Sequence, residues 1–536
     1  MNRSVKKMAL GLKRILQREV TNEEDSLKRP KRGSRKDSLT AGEERVLLDV
    51  FLSFIVLRVL QAKGNSLTAN MEGDLQLFGK SGSDSNLLGD YLSGVQFLNR
   101  NFDCCYLVDD IKSRITHQTI EKIRDLFQSV KDEDWKKEEI ISWSYEYFNE
   151  DSLKRPKGGS RKDSLTASKD LKGKNGVISQ FYTPKWIVDY LVENTLGKYY
   201  GENGLTAHKE SSLTAGEEDG LTAGEEKGLD IEDVKIIDPA CGCGNFVIGV
   251  YDKLKEMYQK RGYDDALIPK LIITKNLYGI DIDENAVEIT NLLLRLKALE
   301  DGVYEKIETN IVAVPKGNNL KRPEGGSRKD SLTANEEGQN EYLKKFEKIG
   351  SLMRTEDVLS LRETASRQIK ETGINDERLK KALDILSLKY DIVLTNPPYL
   401  DSSDYDFELK RYINEDYSEF KKNLYACFIK KSCELVEMDG FVGMITPQTF
   451  MFIGSYEKTR RFILENFQIE RLVHFGLGGV FDNALVDTAM FVLRKSKNSL
   501  TAHKENSLKR PEGGPRKDSL KHPEGGSRKD SLTASE

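Results

Sequence analysis

The stretch VKIIDPACGCGNF, Val234 to Phe246, decides the fold. A short β-rich run ends in Asp238, a Pro-containing loop carries Gly242 and Gly244, and a helical pattern follows from about Val247, so the chain leaves a strand and turns sharply into a helix. Glycine at those two places lets the backbone bend tightly and come close to a ligand. The N-terminus of the following helix favours an electronegative group. The spacing differs from G-x-G-x-x-G, so a pyrophosphate cradle is not expected.

Working outward, NLYGIDI (276–282) is a second strand ending in Asp281, a carboxylate placed to accept both hydroxyls of a ribose. An acid after a strand is more often a helix cap, and Asp283 fits that plainer role. Further β-rich runs are NIVAV (310–314), YDIVLT (390–395), FVGMIT (441–446), IERLVHF (469–475) and DTAMFVL (487–493), alternating with helical segments. Such alternation predicts an α/β fold, a mostly parallel sheet with helices on both faces and ligands bound beyond the carboxyl ends of the strands. YDIVLT runs straight into Asn396, Pro397, Pro398 and Tyr399, expected to stand exposed after the strand. Taken alone, that string also reads as a rigid Pro-Pro turn bearing a surface tyrosine.

Before the sheet, residues 43–150 are helical in pattern, with apolar residues three and four apart in VLLDVFLSFIVLRVLQ (46–61) and TIEKIRDLFQSV (119–130). The first of these is too short for a membrane span and carries Asp49 and Arg58, so no membrane association is expected.

A unit close to SLKRPEGGSRKDSLTA recurs from Ser26, Ser152, Asn319, Ser507 and Ser519, at irregular spacing. Its Gly-Gly, Pro and lone leucines cannot bury a face, so it reads as solvated loop inserted where the fold has a surface connection, rather than as a solenoid or a basic DNA-binding arm. The five copies together carry +14 over 76 residues, so the total of −4 leaves −18 on the other 460. That body is no polycation able to hold nucleic acid unaided. The expected organisation is a helical N-terminal domain over 1–170 with insertions at 26–41 and 152–167. It is followed by a catalytic domain over 171–497 with insertions at 203–228 and 319–338, and a repeat-derived disordered tail over 498–536.

The six cysteines include an adjacent pair and a C-x-C, which form no disulfide framework and fit a reducing, cytoplasmic setting. Cys241 and Cys243 could be taken as zinc ligands. Only His117 and His474 lie outside repeat-derived stretches, however, so no metal is expected.

These motifs together resemble the adenine-specific DNA methyltransferases that use S-adenosylmethionine, whose sheet is Rossmann-like. Asp238, Pro239, Ala240, Cys241, Gly242, Gly244 and Phe246 look like the family's cofactor loop, Asp281 and Ile282 like its ribose-binding strand end, and Asn396 to Tyr399 like its catalytic motif. QFYTPKWIVDYLVENTLG (180–197) resembles the segment that meets the methionine end of the cofactor through Tyr182, Thr183 and Pro184. Its place ahead of the glycine loop matches the gamma class. ISWSYEYFNED (141–151) and KIGSLMR (348–354) resemble more closely the methyltransferases of BREX phage-exclusion and type II restriction-modification systems.

The resemblance implies methyl transfer to the N6 amine of adenine in double-stranded DNA. Asn396 and the Pro397 carbonyl would accept the amine hydrogens, and Tyr399 would stack on a flipped base. Members of this kind carry a target-recognition domain after the catalytic one, and nothing of that sort is expected after Leu493. A separate recognition subunit or defence-system proteins are therefore expected as partners. Where such enzymes often place an acid after the third strand, NIVAVPKGNN runs into a repeat copy, so no catalytic acid is assigned there. Enzymes that methylate a protein glutamine or an RNA guanine share Asn-Pro-Pro-Tyr. An inactive cofactor-binding remnant, or a subunit of a defence complex, is the other alternative.

Overall fold

Apolar side chains on both sides of the central strands give the sheet two buried faces, whereas the edge strand Phe467–His474 is largely exposed. In the computed structural model, Ile236, Ile392, Leu394, Phe441, Ile445, Met490 and Val492 join one apolar cluster, while Ile237, Val393, Val442, Met444, Phe491 and Leu493 join another. Strands covered on both sides read as near-continuous hydrophobic runs for this reason. The structure describes residues 3–20, 41–64, 87–102, 115–153, 182–203, 230–315, 346–372, 377–476, 480–481 and 486–496. Apart from residues 41, 152, 153 and 203, the repeat copies and insertions expected from the sequence lie outside these, as do Gln180, Phe181, Cys104 and Cys105.

Seven strands form one sheet: β1 (Ile236–Asp238), β2 (Leu277–Asp281), β3 (Asn310–Ala313), β4 (Tyr390–Thr395), β5 (Val436–Pro447), β6 (Phe467–His474) and β7 (Thr488–Lys495). Their spatial order is β3-β2-β1-β4-β5-β7-β6. The first five run parallel and β7 is antiparallel to both β5 and β6. This is the mostly parallel α/β sheet expected from the sequence. The order reverses between β1 and β4, and a crevice opens at their carboxyl ends where a ligand can enter.

Helices Lys185–Val192 and Asn245–Lys260 cover one face, and Glu377–Ser387 and Leu424–Leu435 the other. The helix Glu284–Glu300 is apolar nearly all round because it is sandwiched. Val287, Leu294 and Ala298 face the sheet, whereas Ala286, Ile289, Leu292, Leu293, Leu296 and Leu299 join a third cluster built from the N-terminal helices. Those helices are Arg3–Val20, Ala41–Lys63, Leu87–Phe102, His117–Phe127 and Glu139–Leu153. Ala41–Lys63 is their centre, with every residue from Leu47 to Leu57 buried, Asp49 and Ser53 among them. Asp49 is paired with Arg45 at 3.0 Å, and the Ser53 hydroxyl meets Tyr91 at 2.6 Å.

Polar groups tie this layer to Glu284–Glu300. Glu138 pairs with Lys63 at 3.0 Å and with Lys297 at 3.2 Å, and Lys63 also reaches Glu300. Burial alone would push the Glu138 carboxyl up, but the Lys297 and Lys63 ammonium groups hold it below the ordinary value. Among the described residues, no helix is long and apolar enough to cross a membrane.

Candidate active site

The end of β1 and the loop after it form the floor of the crevice. Gly242 and Gly244 have φ of 49° and 80°, in the left-handed region, and a Cβ on Gly242 would meet nothing within 4 Å. That open space lies over the loop. A Cβ on Gly244, by contrast, would stand 2.7 Å from Thr290 Cγ2, so the loop packs hard against Glu284–Glu300 on its other side. The Thr290 hydroxyl donates to the Gly242 carbonyl at 2.8 Å and fixes that contact. Cys241 and Phe246 turn their side chains into the core beneath the loop, as does the buried Pro239 at its start, while Ala240 is half-buried.

Two carboxylates border the open space. Asp238 is buried and accepts from the Ala240 amide at 3.0 Å; burial, with the Asp281 charge adding to it, pushes its carboxyl up to about 7. Asp281, half-buried at the end of β2, accepts from the Gly242 amide at 2.8 Å and from the Asp283 amide at 2.9 Å. Its carboxyl is pushed up to about 6 by burial and by the Asp283 charge. Asp283 caps the next helix, accepting from the Asn285 and Ala286 amides. Ile282 leaves its side chain exposed next to Asp281.

KIGSLMR packs against this floor. The Ser351 hydroxyl donates to the Pro239 carbonyl at 2.6 Å, and Gly350, with φ of 56°, lies where a Cβ would come 2.9 Å from the Ile282 side chain. The sequence marked this segment only by its resemblance. Its contact with the loop, more than a hundred residues away, has no local signature.

Asn396 leaves the end of β4 on the opposite wall of the crevice. Its amide nitrogen donates to Thr183 Oγ1 at 3.1 Å, which joins the segment Tyr182 to Pro184 to the Asn-Pro-Pro-Tyr turn and points the amide oxygen the other way. That oxygen accepts from the Tyr399 hydroxyl at 2.7 Å, and the same hydroxyl lies 3.1 Å from the Ile445 carbonyl. The turn is therefore less exposed than expected. Pro397 is buried, and Asn396, Pro398 and Tyr399 are half-buried, because Tyr399 folds inward against both apolar clusters of the sheet.

The Tyr399 ring has Phe481 at 6.3 Å and Tyr425 at 6.4 Å, both edge-on. Phe481 was not picked out from the sequence, since a single phenylalanine in an irregular segment carries no periodic signal. Among the described residues, no cluster of His, Cys, Asp and Glu is placed to hold a metal ion.

The buried Asp238, the half-buried Asp281, the open space at Gly242 and the Asn396 amide held at the end of β4 form a set of groups that fits S-adenosylmethionine. Its ammonium and ribose hydroxyls are the groups such carboxylates accept.

Residues 275–481 match the family model of the Eco57I restriction-modification methylase, and residues 225–323 that of the MmeI DNA-methyltransferase domain. The chain is 26% identical over 425 residues to the adenine-specific methyltransferase BrxX of Escherichia coli O9:H4 (strain HS), a match covering 70% of this chain and 34% of that one. It is 27% identical over 421 residues to the adenine-specific methyltransferase PglX of Lacticaseibacillus casei (strain Zhang), again covering 70% and 34%. To the type II restriction enzyme and methyltransferase RM.Eco57I of Escherichia coli it is 24% identical over 293 residues, covering 50% and 25%. The chain spans about a third of the length of the first two relatives.

Proposed function

We propose, for a chain whose residues 275–481 match the family model of the Eco57I restriction-modification methylase, that it transfers a methyl group from S-adenosylmethionine to the N6 amine of adenine in double-stranded DNA, within a restriction-modification or phage-defence system. The observation that carries this reading is the oriented amide of Asn396. Thr183 holds its nitrogen, so its oxygen is committed to accepting a proton inside the crevice.

Asp238 and Asp281 would hold the ammonium and ribose ends of the cofactor, with Tyr182, Thr183, Pro184, Ile282 and the loop from Pro239 to Phe246 forming the remaining walls. Bound there, the cofactor supplies an electrophilic methyl on a sulfonium. An adenine amine is a poor nucleophile because its lone pair is delocalised into the ring. Asn396 Oδ1 and the Pro397 carbonyl would accept its two hydrogens and localise that pair, and the rigid turn keeps both acceptors in place before the base arrives. Such a pocket receives only a base taken out of the duplex, and Tyr399 with Phe481 would offer aromatic faces to it.

A body carrying −18 outside the repeats gains little from phosphate attraction, so sequence recognition is assigned to a recognition domain or a partner subunit.

The test is to incubate the purified chain with radiolabelled S-adenosylmethionine and unmethylated DNA, beside Asn396→Ala. Transfer to adenine that falls by about 100-fold or more in the variant, with cofactor affinity held within about twofold, is the expected result. Transfer to glutamine peptides but not to DNA would overturn the substrate. Cofactor binding with no transfer to any substrate would mark a remnant.

A further inference from the structure

The helix Glu139–Leu153 touches three of the segments around the crevice, the glycine loop, the residues after β2 and Tyr182. Ser142 and Tyr145, one turn apart and both buried, face the glycine loop and the end of β2. The Ser142 hydroxyl lies 3.4 Å from the Cys243 carbonyl, between the two left-handed glycines. The Tyr145 hydroxyl donates to Asp283 Oδ2 at 2.8 Å. On the neighbouring side of the helix, the Trp143 ring meets the Tyr182 ring edge-on at 5.6 Å.

We infer that this helix sets the geometry of the cofactor pocket from outside it, with Tyr145 as a positioning residue for the ribose-binding acid. The inference rests on the methyltransferase reading given above. Tyr145 reaches Asp281 through one intermediate. Asp283 Oδ2 takes the tyrosine proton, Asp283 Oδ1 caps the following helix through Asn285 and Ala286, and the Asp283 amide donates to Asp281 Oδ1. Asp281 Oδ2 in turn holds the Gly242 amide. An unbroken path of hydrogen bonds therefore runs from the N-terminal layer, through both acids, to the glycine loop.

A second strut acts on the same helix end. Arg45 donates to Asn285 Oδ1 and pairs with Glu288 at 3.1 Å, so the first turn of Glu284–Glu300 is held from two helices of that layer. The role also accounts for a serine and a tyrosine hydroxyl at the buried positions 142 and 145.

The test uses the full chain and isothermal titration with S-adenosylmethionine, together with thermal unfolding in the absence of cofactor. Tyr145→Phe keeps the ring and removes one hydroxyl. It is expected to weaken cofactor binding about three- to tenfold, to raise the cofactor KM and to leave kcat near wild type. Tyr91→Phe is the comparison, because it deletes another buried hydroxyl of the same helical layer, the one that meets Ser53, with no path to the loop. It is expected to shift the unfolding temperature as much or more while cofactor affinity stays within twofold. Equal loss of affinity in both variants, or unchanged affinity in Tyr145→Phe, would overturn the positioning role. If the wild-type chain itself bound no cofactor, the functional reading would fall, and this inference with it.

Discussion

The Tyr399 hydroxyl donates to Asn396 Oδ1, so in the free protein the acceptor that the proposed reaction assigns to an adenine amine is already occupied by the neighbouring side chain of the same motif. A base entering the crevice exchanges one donor for another. Because Tyr399 shares its proton with the Ile445 carbonyl, the exchange leaves the hydroxyl with a second acceptor and costs little.

Tyr399→Phe, which keeps the ring and removes the competing donor, is therefore expected to retain methyl transfer within about threefold of wild type. Tyr399→Ala also removes the aromatic face, worth about 1–3 kcal/mol per stacked base, and is expected to lose roughly 10- to 100-fold. Single-turnover rates on a duplex carrying the target site separate the two. A phenylalanine variant as damaged as the alanine one would mean that the hydroxyl itself is required.

The paired acids predict opposite pH trends for stability and for binding. Asp238 and Asp281 titrate near 7 and 6 in the folded chain, above the ordinary 3.8, so the folded state holds protons that the unfolded chain has released. Stability without cofactor should fall as pH rises from about 4 to about 7 and then level off. Asp238→Asn removes its share of that penalty, on the order of a few kcal/mol, and should raise the melting temperature at pH 8, with the gain shrinking toward pH 5. In the proposed pocket the ionised acids hold the cofactor's ammonium and ribose hydroxyls. Cofactor affinity should rise from pH 5.5 to pH 7.5 in calorimetric titrations and be nearly lost in Asp238→Asn. A flat stability profile across that range would contradict the burial argument.

Glu138 anchors the N-terminal layer between Lys63 and Lys297 with all three side chains mostly out of water. Replacing it by alanine removes the carboxylate shared by two ammonium groups, which keep Glu300 and Asp252 as partners, and a loss of about 2–3 kcal/mol in urea denaturation at pH 7 is expected. Its pKa lies below the ordinary 4.5, so this stability is fully present above that value and is lost as pH falls through the lowered one. The gap between Glu138→Ala and wild type should accordingly narrow below pH 4.5.

All seven β-rich runs read from the sequence are strands in the structure, within a few residues, and most of the motif residues sit at strand ends. They were legible because period-two alternation and glycine punctuation are local properties. β5 is the largest departure, beginning at Val436 rather than at Phe441, since Glu437, Asp439 and Gly440 interrupt the apolar run and mask the strand signal. Asp283 as a helix cap was readable for the same local reason, a short acid directly before a helical pattern.

By itself, the sequence determined a mostly parallel sheet, a site beyond the carboxyl ends of its strands and the residue types at those ends, because each depends on neighbours a few positions away. The strand order, with its reversal between β1 and β4, came from tertiary structure. Tertiary structure alone decided that Tyr399 turns inward onto Asn396, that Ser351 grips the glycine loop, that Phe481 faces Tyr399, and that Tyr145 steadies the acid cluster. Each of these contacts except the first joins residues far apart in the chain, and Tyr399 turns inward only because two apolar clusters meet beneath it. No local period encodes where packed layers bring such side chains together.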